Sequence, residues 1–293
     1  MKKRNLYKRF IAKIKSIAKA RRLPKSFSKK KNNVFSNTKH VIIYVLKEKE
    51  GNSYRELIDF IELLRDEIGL ERMPHFTTIN KFALRVKPIW FDILMEELLN
   101  SVYTEEAVIC SIDGTGLSLN SRSKYFETIA GKRNLFMQCN ICYENKNKMI
   151  LACKLRRKRR NESIDFQPLA KKASKRRNVS VFLQDKAYDA EKHHKYARQE
   201  LKAELIAPLR KHGEKIGGFY RKQMKNLPKI YKKRASISEN GHSILKGKYG
   251  DVIYAKKFRT QKIEGLGKIL VYNLEKAINI NYWLLLSTAL LSG

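Results

Sequence analysis

Apolar residues change their spacing twice along the chain, which divides it into a helical stretch, a stretch containing strands, and a second helical stretch. Near the start, Leu6, Phe10, Ile11, Ile14 and Ile17 alternate at helical spacing with Lys8, Lys13, Lys15, Lys19 and Arg22, until Pro24 stops the pattern. Ser26 to Asn33 then reads as a Lys/Ser/Asn linker. Residues 38–100 predict several short helices. Val41, Ile42, Val45 and Leu46 share a face before Gly51-Asn52, and Leu57, Ile58, Ile61, Leu64 and Ile68 share another before Gly69. Ile79, Phe82 and Ala83, then Phe91, Leu94, Met95 and Leu98, supply two more. Ser53 and Glu56 have the spacing of a capping box, and Thr77-Thr78 stand where a helix cap is expected. Short helices with tight turns permit a helix-turn-helix module or plain helical packing.

From residue 107 the period shortens. Val108 to Ile112 reads as a buried strand ending at Asp113-Gly114. Leu135 to Tyr143 and Met149 to Leu155 flank Glu144-Asn145-Lys146-Asn147, which predicts an antiparallel hairpin. A helix over 167–174, a buried strand from Val179 to Leu183 ending at Gln184-Asp185, a helix over 191–202 and a short strand before Pro208 follow. Residues 211–233 are basic and irregular, and helical pattern returns from about Ser238. Helices and strands in this order predict an α/β domain on a mixed sheet.

Charge adds a partner. The 293 residues carry 63 Lys+Arg against 28 Asp+Glu, a formal net charge of +35, which belongs with polyanion binders. Residues 1–33 hold fourteen Lys/Arg and no acid, so they read as a basic arm that orders on a partner or as an amphipathic helix. A hydrophobic fraction of 43% is ample for a packed core. Four cysteines in a chain of this length point to a reducing compartment. Cys139 and Cys142, three apart on a strand, face opposite sides and are read as strand residues rather than half a zinc site. The most apolar stretch, Trp283 to Leu291, is about half a bilayer span, and the basic N-terminus lacks a signal peptide's apolar region. The expectation is a soluble intracellular protein with no membrane segment that meets nucleic acid. An anionic membrane surface competes on charge alone.

In so basic a chain, two acids at strand ends need a reason. Asp113 and Asp185 each follow a buried strand, where α/β sheets place their sites. With a third carboxylate from a helix they would make a hard oxygen cage suited to Mg²⁺ or Mn²⁺. Turn or helix capping explains either one singly.

These residues also carry a resemblance. Ser111-Ile112-Asp113-Gly114-Thr115 and Leu183-Gln184-Asp185-Lys186-Ala187-Tyr188-Asp189 resemble the first two acidic motifs of the DDE transposases of bacterial and archaeal insertion sequences. Tyr231-x2-Arg234-x4-Glu239-x6-Lys246 resembles that group's Y-x2-R-x3-E-x6-K signature, and Ser243, Lys246 to Asp251 and Val271 to Leu274 fit as well. The resemblance implies an RNase H-like core, a mixed five-stranded sheet flanked by helices, preceded by a helical N-terminal region. It divides the chain into a basic arm (1–33), a helical DNA-binding or dimerisation region (34–104) and a catalytic domain (105–293). Asp113 on the first strand, Asp185 just after the fourth and Glu239 on the following helix would ligate two Mg²⁺ (or Mn²⁺) ions. Tyr231, Arg234 and Lys246, with Arg156, Arg157, Arg159 and Arg160 of the densest later basic block, would contact DNA. The implied activity is cleavage at inverted-repeat ends and strand transfer into target DNA. A homodimer on duplex DNA, near the nucleoid in prokaryotic cytoplasm, would perform it.

One departure stands out. Arg234 lies five residues before Glu239 where the family has four, a rotation of about 100° on a helix. Either the helix begins after Arg234 or the arginine has left its usual role. Gly241 weakens the same helix by about 1 kcal/mol relative to Ala. These two features leave open a catalytically inactive, transposase-derived DNA-binding protein.

Overall fold

The structure is a computed structural model of the chain. It describes residues 2–27, 34–102, 106–119, 136–157, 160–210 and 216–291, the side chains of residues 2–3 and 281–291 excepted. The chain divides into two compact units, one drawn from residues 1–102 and 248–293, the other from 103–247. The boundary at 247 falls inside the stretch 105–293 that the sequence reading treats as one domain.

The first unit is helical. Helix α1 (Lys2–Ala20) comes from the strongly basic segment, and its stripe of Phe10, Ile14 and Ile17 is buried. Helix α2 (Asn37–Glu50) is buried from His40 to Glu48, which requires apolar residues on every face. Ser36 caps its start and Gly51, at φ 70°, its end. Before α3 (Glu56–Glu62), the Ser53 N–H donates to Glu56 Oε2 (2.9 Å) and the Glu56 N–H to Ser53 Oγ (3.3 Å), a reciprocal capping box. Helix α4 (Arg65–Ile68) stops at Gly69. Helix α5 (Phe76–Arg85) is capped by His75 rather than by the threonine pair: Thr77-Thr78 lie inside its first turn, and the Thr77 N–H donates to His75 Nδ1. Helix α6 (Pro88–Asn100) begins on a proline, where a missing N–H costs nothing.

The second unit carries the sheet. Its strands β1 (Val108–Leu119), β2 (Phe136–Glu144), β3 (Ile150–Arg156), β4 (Val179–Leu183) and β5 (Glu204–Ile206) lie in the order β3-β2-β1-β4-β5. The pairs β3-β2 and β2-β1 are antiparallel, whereas β1-β4 and β4-β5 are parallel. The β2-β3 turn holds because the Glu144 carboxylate accepts N–H groups from Lys146 and Asn147, each at 2.7 Å. Helices α7 (Phe166–Arg176), α8 (Glu191–Glu200), α9 (Phe219–Gln223) and α10 (Lys233–Tyr249) follow. A last helix, α11 (Phe258–Leu291), belongs to the first unit and packs on α6, α2, α1 and α5. Among the described residues no helix is long and apolar enough to cross a membrane.

Two differences from the sequence expectation position the site. The strand expected to end at Asp113 runs on to Leu119, because β2 pairs with β1 as far as Ser118↔Phe136. The strand that stops is β4, whose last pair is Leu183↔Ser111, so β1 has one edge without β4 from Ile112 onward. Gly241, which weakens α10 as an isolated helix, has a packing reason. A Cβ there would lie 2.5 Å from the Tyr143 ring, so only glycine lets α10 lie this close to β2.

Candidate active site

Parallel pairing of β1 with β4 sets Ser111 beside Leu183, so Asp113 and Asp185, two residues on in each chain segment, come level where β4 ends. Gln184 lies between them in sequence and is fully buried. With its amide turned to satisfy both groups, its nitrogen donates to Ile112 O (2.5 Å) and its oxygen accepts from Ile112 N (3.0 Å). That side chain extends the β1-β4 ladder by one step and fixes the spacing of the two acids. Asp185 Oδ1 accepts the Ala187 N–H (2.7 Å) and so heads a single 3-10 turn. Asp113 Oδ1 accepts the Gly114 N–H (2.9 Å), which leaves Oδ2 facing α10.

Helix α10 includes Arg234, and the five-residue offset does not separate it from the acids. The Arg234 guanidinium reaches Asp113 Oδ2 through Nη1 (3.6 Å) and Glu239 Oε1 through Nη2 (3.6 Å). It therefore bridges one acid on the sheet to another on the helix. Asp113 is 19% exposed and Glu239 63%, so solvent reaches both. Among the described residues no three His, Cys, Asp or Glu side chains converge closely enough to hold a metal ion; the guanidinium occupies the space between two of them. Tyr231 sits in the turn before α10. Burial raises its hydroxyl pKa, Arg234 pulls it down, and Asp185 and Asp113 raise it further.

His242, which looks isolated in the sequence, also belongs here. Its Nε2 lies 3.9 Å from Asp113 Oδ2 and its Nδ1 3.1 Å from the Tyr143 hydroxyl. Burial, helped by the Lys246 charge, pushes its pKa down to about 4, so the ring is neutral at pH 7. The one sequence signal for it is position: three residues after Glu239, one helical turn on.

Residues 104–274 match the family described as Transposase DDE domain. The chain belongs to the DDE transposase family. No curated protein matches. A chain in the cryo-EM structure of the piggyBac transposase synaptic complex with hairpin DNA is similar at 13% identity and a TM-score of 0.49, covering 93% of this chain and 73% of that one.

DDE transposases act on DNA with divalent metal ions, and this member's other expected DNA-contacting residues fall into two groups. Lys246 lies seven residues after Glu239 on α10, nearly two turns along. Arg156, Arg157 and Arg160 lie at the end of β3, two strands and about 10 Å from β1, toward the same end of the sheet as Asp113. Arg157 and Arg160 are exposed, while Arg156 turns inward to Asp165, and Arg159 lies outside the described residues. The same inward turn recurs in two further basic segments, 171–177 and 221–234. Arg176 donates to Leu151 O (2.6 Å) and Arg221 holds Asp189 through Nε (2.9 Å) and Nη2 (2.8 Å). Part of each basic segment thus serves an internal acid or carbonyl rather than the surface.

Proposed function

We propose that this transposase cleaves DNA at the inverted repeats of a prokaryotic insertion sequence and joins the freed 3′-hydroxyl to target DNA. In this reading Asp113, Asp185 and Glu239 are the metal-binding acids. The observation that carries it is the Arg234 bridge: a cationic group already lies between Asp113 and Glu239, beside the strand end that brings Asp185 level. Carboxylate oxygens are the donors Mg²⁺ and Mn²⁺ prefer, so the donor chemistry of Asp113, Asp185 and Glu239 suits such ions, and these residues would hold them. When bound, they would activate the attacking oxygen and stabilise the leaving one.

The chain's own residues do the rest. Asp113 and Asp185 are presented by a rigid ladder that Gln184 extends. Arg234, whose guanidinium stands 3.6 Å from both carboxylates, binds a DNA phosphate, where its planar fork makes paired hydrogen bonds. Tyr231 stands beside Arg234 and orients it. Lys246 holds the backbone farther along α10, and Arg157 and Arg160 extend that track at the end of β3; Arg159, outside the described residues, is assigned to DNA from the sequence alone. Arg156 secures the start of the track through Asp165. Neutral His242 packs against the Asp113 carboxylate without adding a charge that would compete with a cation. The protein would work as a homodimer on DNA in the cytoplasm, near the nucleoid.

A second reading, a DNA-binding protein derived from a transposase and without catalysis, draws on the same bridge, which fills the space between two acids. Cleavage of element-end DNA decides between them. Wild-type protein with Mg²⁺ should nick such DNA, and Asp113→Asn, Asp185→Asn and Glu239→Gln should each abolish nicking while retaining DNA binding by gel shift. Wild-type protein that binds and never nicks would establish the second reading.

A further inference from the structure

The helical unit holds a cavity of about 630 Å³, a size that suits a small ligand, and every residue lining it belongs to that unit. Buried Tyr44 and Lys47, from the last turns of α2, form its floor. Tyr254, Lys256 and Lys257, which are exposed, stand at its mouth. That side of the mouth is held firmly from α11. The Glu264 carboxylate, itself buried, accepts the Tyr254 N–H through Oε1 (2.9 Å) and the Ala255 N–H through Oε2 (2.9 Å). Gln261 Nε2 donates to Ala255 O (3.0 Å).

Lys47 carries the argument for a ligand. Its side chain is 10% exposed, and among the described residues its ammonium makes one hydrogen bond, to Glu48 Oε1 (2.9 Å). Burial works against its charge, but Glu48 and Glu264 more than offset this and hold its pKa above the ordinary lysine value, so it is charged at pH 7. An ammonium has three donors. For the other two, the described residues offer the rings of Tyr44 and Tyr54, with centroids 5.8 and 5.2 Å away, and no further hydrogen-bond acceptor. Buried donors left without an acceptor are costly, and a ligand with two adjacent acceptors would satisfy both.

The mouth supplies two other kinds of contact. Tyr254 is 62% exposed and Leu84 38%, large apolar side chains open to solvent that line the same cavity, as a flat ring requires. Lys256 and Lys257 lead directly into α11, and Thr260 in its first turn also lines the cavity. The start of a long helix favours an anion, because its first N–H groups have no partner within the helix.

A flat ring with two neighbouring acceptors, joined to an anion, describes a guanine nucleotide: O6 and N7 are the acceptors and the phosphate is the anion. We propose that this cavity binds a guanine nucleotide. Lys47 donates to O6 and N7, Tyr254 stacks on the base, and Lys256, Lys257 and the start of α11 hold the phosphate. The nucleotide comes either free from solution or as an unpaired unit of a DNA strand, with the same chemistry in both cases. The site shares no residue with Asp113, Asp185 and Glu239, and the inference stands whether or not those acids bind metal.

The test uses the whole protein. Titration calorimetry with dGMP, dAMP and deoxyguanosine reads the free nucleotide. Fluorescence anisotropy on a duplex with one unpaired guanine, against the same duplex fully paired, reads the DNA-borne one. The dGMP should bind about 5- to 150-fold more tightly than dAMP, the discrimination one two-acceptor contact provides. Tyr254→Ala changes an exposed ring, so its thermal unfolding should match wild type, while dGMP binding weakens by about 5- to 150-fold, the worth of one stacked base. Lys256→Gln combined with Lys257→Gln should reduce dGMP to the affinity of deoxyguanosine. Binding of dGMP without preference for the unpaired guanine assigns the nucleotide to solution. A preference that dGMP competes away assigns it to DNA, and either result upholds the site. Equal binding of dGMP and dAMP would overturn the role given to Lys47. Binding of dGMP that survives unchanged in both variants would place the nucleotide elsewhere and overturn the site, as would no binding of dGMP together with no preference for the unpaired guanine.

Discussion

Asp165 and Asp189 are locked into close pairs, whereas Asp113, Asp185 and Glu239, in the same unit, are held loosely. Asp165 is 1% exposed and accepts from Arg156 Nε (2.7 Å), Lys154 Nζ (2.8 Å) and Asn140 Nδ2 (2.8 Å). Asp189, 8% exposed, takes two hydrogen bonds from Arg221 and the Arg210 N–H (2.6 Å). In contrast, Arg234 stays 3.6 Å from both Asp113 and Glu239, beyond a good charge-assisted hydrogen bond. The difference separates acids that hold the fold from acids kept available for a ligand. A locked acid gives stability and has no donor capacity left, and a loose one has the reverse.

The sharpest break in that comparison is the pairing of activity with stability. Asp113→Asn, Asp185→Asn and Glu239→Gln should eliminate cleavage and yet shift the unfolding free energy by less than about 1 kcal/mol, as changes outside tight networks do. Urea unfolding followed by circular dichroism measures the second quantity. A loss of several kcal/mol in one variant would move that acid to the locked group.

Asp165→Ala should behave in the opposite way. Removing one partner of a buried pair costs about 3–5 kcal/mol, and the low end applies because Lys154 and Arg156 keep some contact with water. The pH dependence follows with a definite sign. Burial works to raise the Asp165 carboxyl pKa, but bonds from Arg156 and Lys154 more than offset this and hold it below its ordinary value. Asp189 is likewise lowered, by Arg221 and the Arg210 N–H against its burial. A depressed folded pKa gives stability that is complete above the unfolded value of about 3.9 and is lost as pH falls through the folded one. Wild type should therefore lose stability below about pH 4, and Asp165→Ala should lose less over the same window.

How much of this the sequence disclosed depends on the range of the interaction. Local chemistry was legible: the capping box at Ser53 and Glu56, the glycine stops at 51 and 69, the β2-β3 turn and the whole of β4 follow from neighbours in the chain. The order of Asp113, Asp185 and Glu239 was legible too, because the acids sit at ends of apolar runs or on a recognisable signature. Partners across long separations were not. Nothing near Arg156 says that Asp165, rather than DNA, takes its guanidinium, and nothing near His242 says that Asp113 is 3.9 Å away. Gly241 shows the same limit: helix propensity marks it as a weakness, and only the Tyr143 ring behind it gives the reason. Asp165 stands directly before α7, yet its side chain makes no capping bond and is held by charge instead.

The smallest expected effect tests whether Arg234 and Arg156 differ as their acids do. Both are arginines beside an aspartate in the same unit, and both were expected on DNA. Arg156 is committed to Asp165 at hydrogen-bond distance, while Arg234 is poised between two partners at 3.6 Å and can exchange them for a phosphate. Each phosphate contact contributes about one unit to the slope of log affinity against log salt. Arg234→Gln should lower that slope by about one and weaken binding uniformly across DNA sequences, with little change in stability. Arg156→Gln should leave the slope unchanged and lower the unfolding midpoint, because it strips Asp165 of its main partner. Fluorescence anisotropy over a salt series reads the slope directly. Equal slopes for Arg234→Gln and wild type would mean that the guanidinium stays with its carboxylates when DNA binds, which would make the loose pair a locked one.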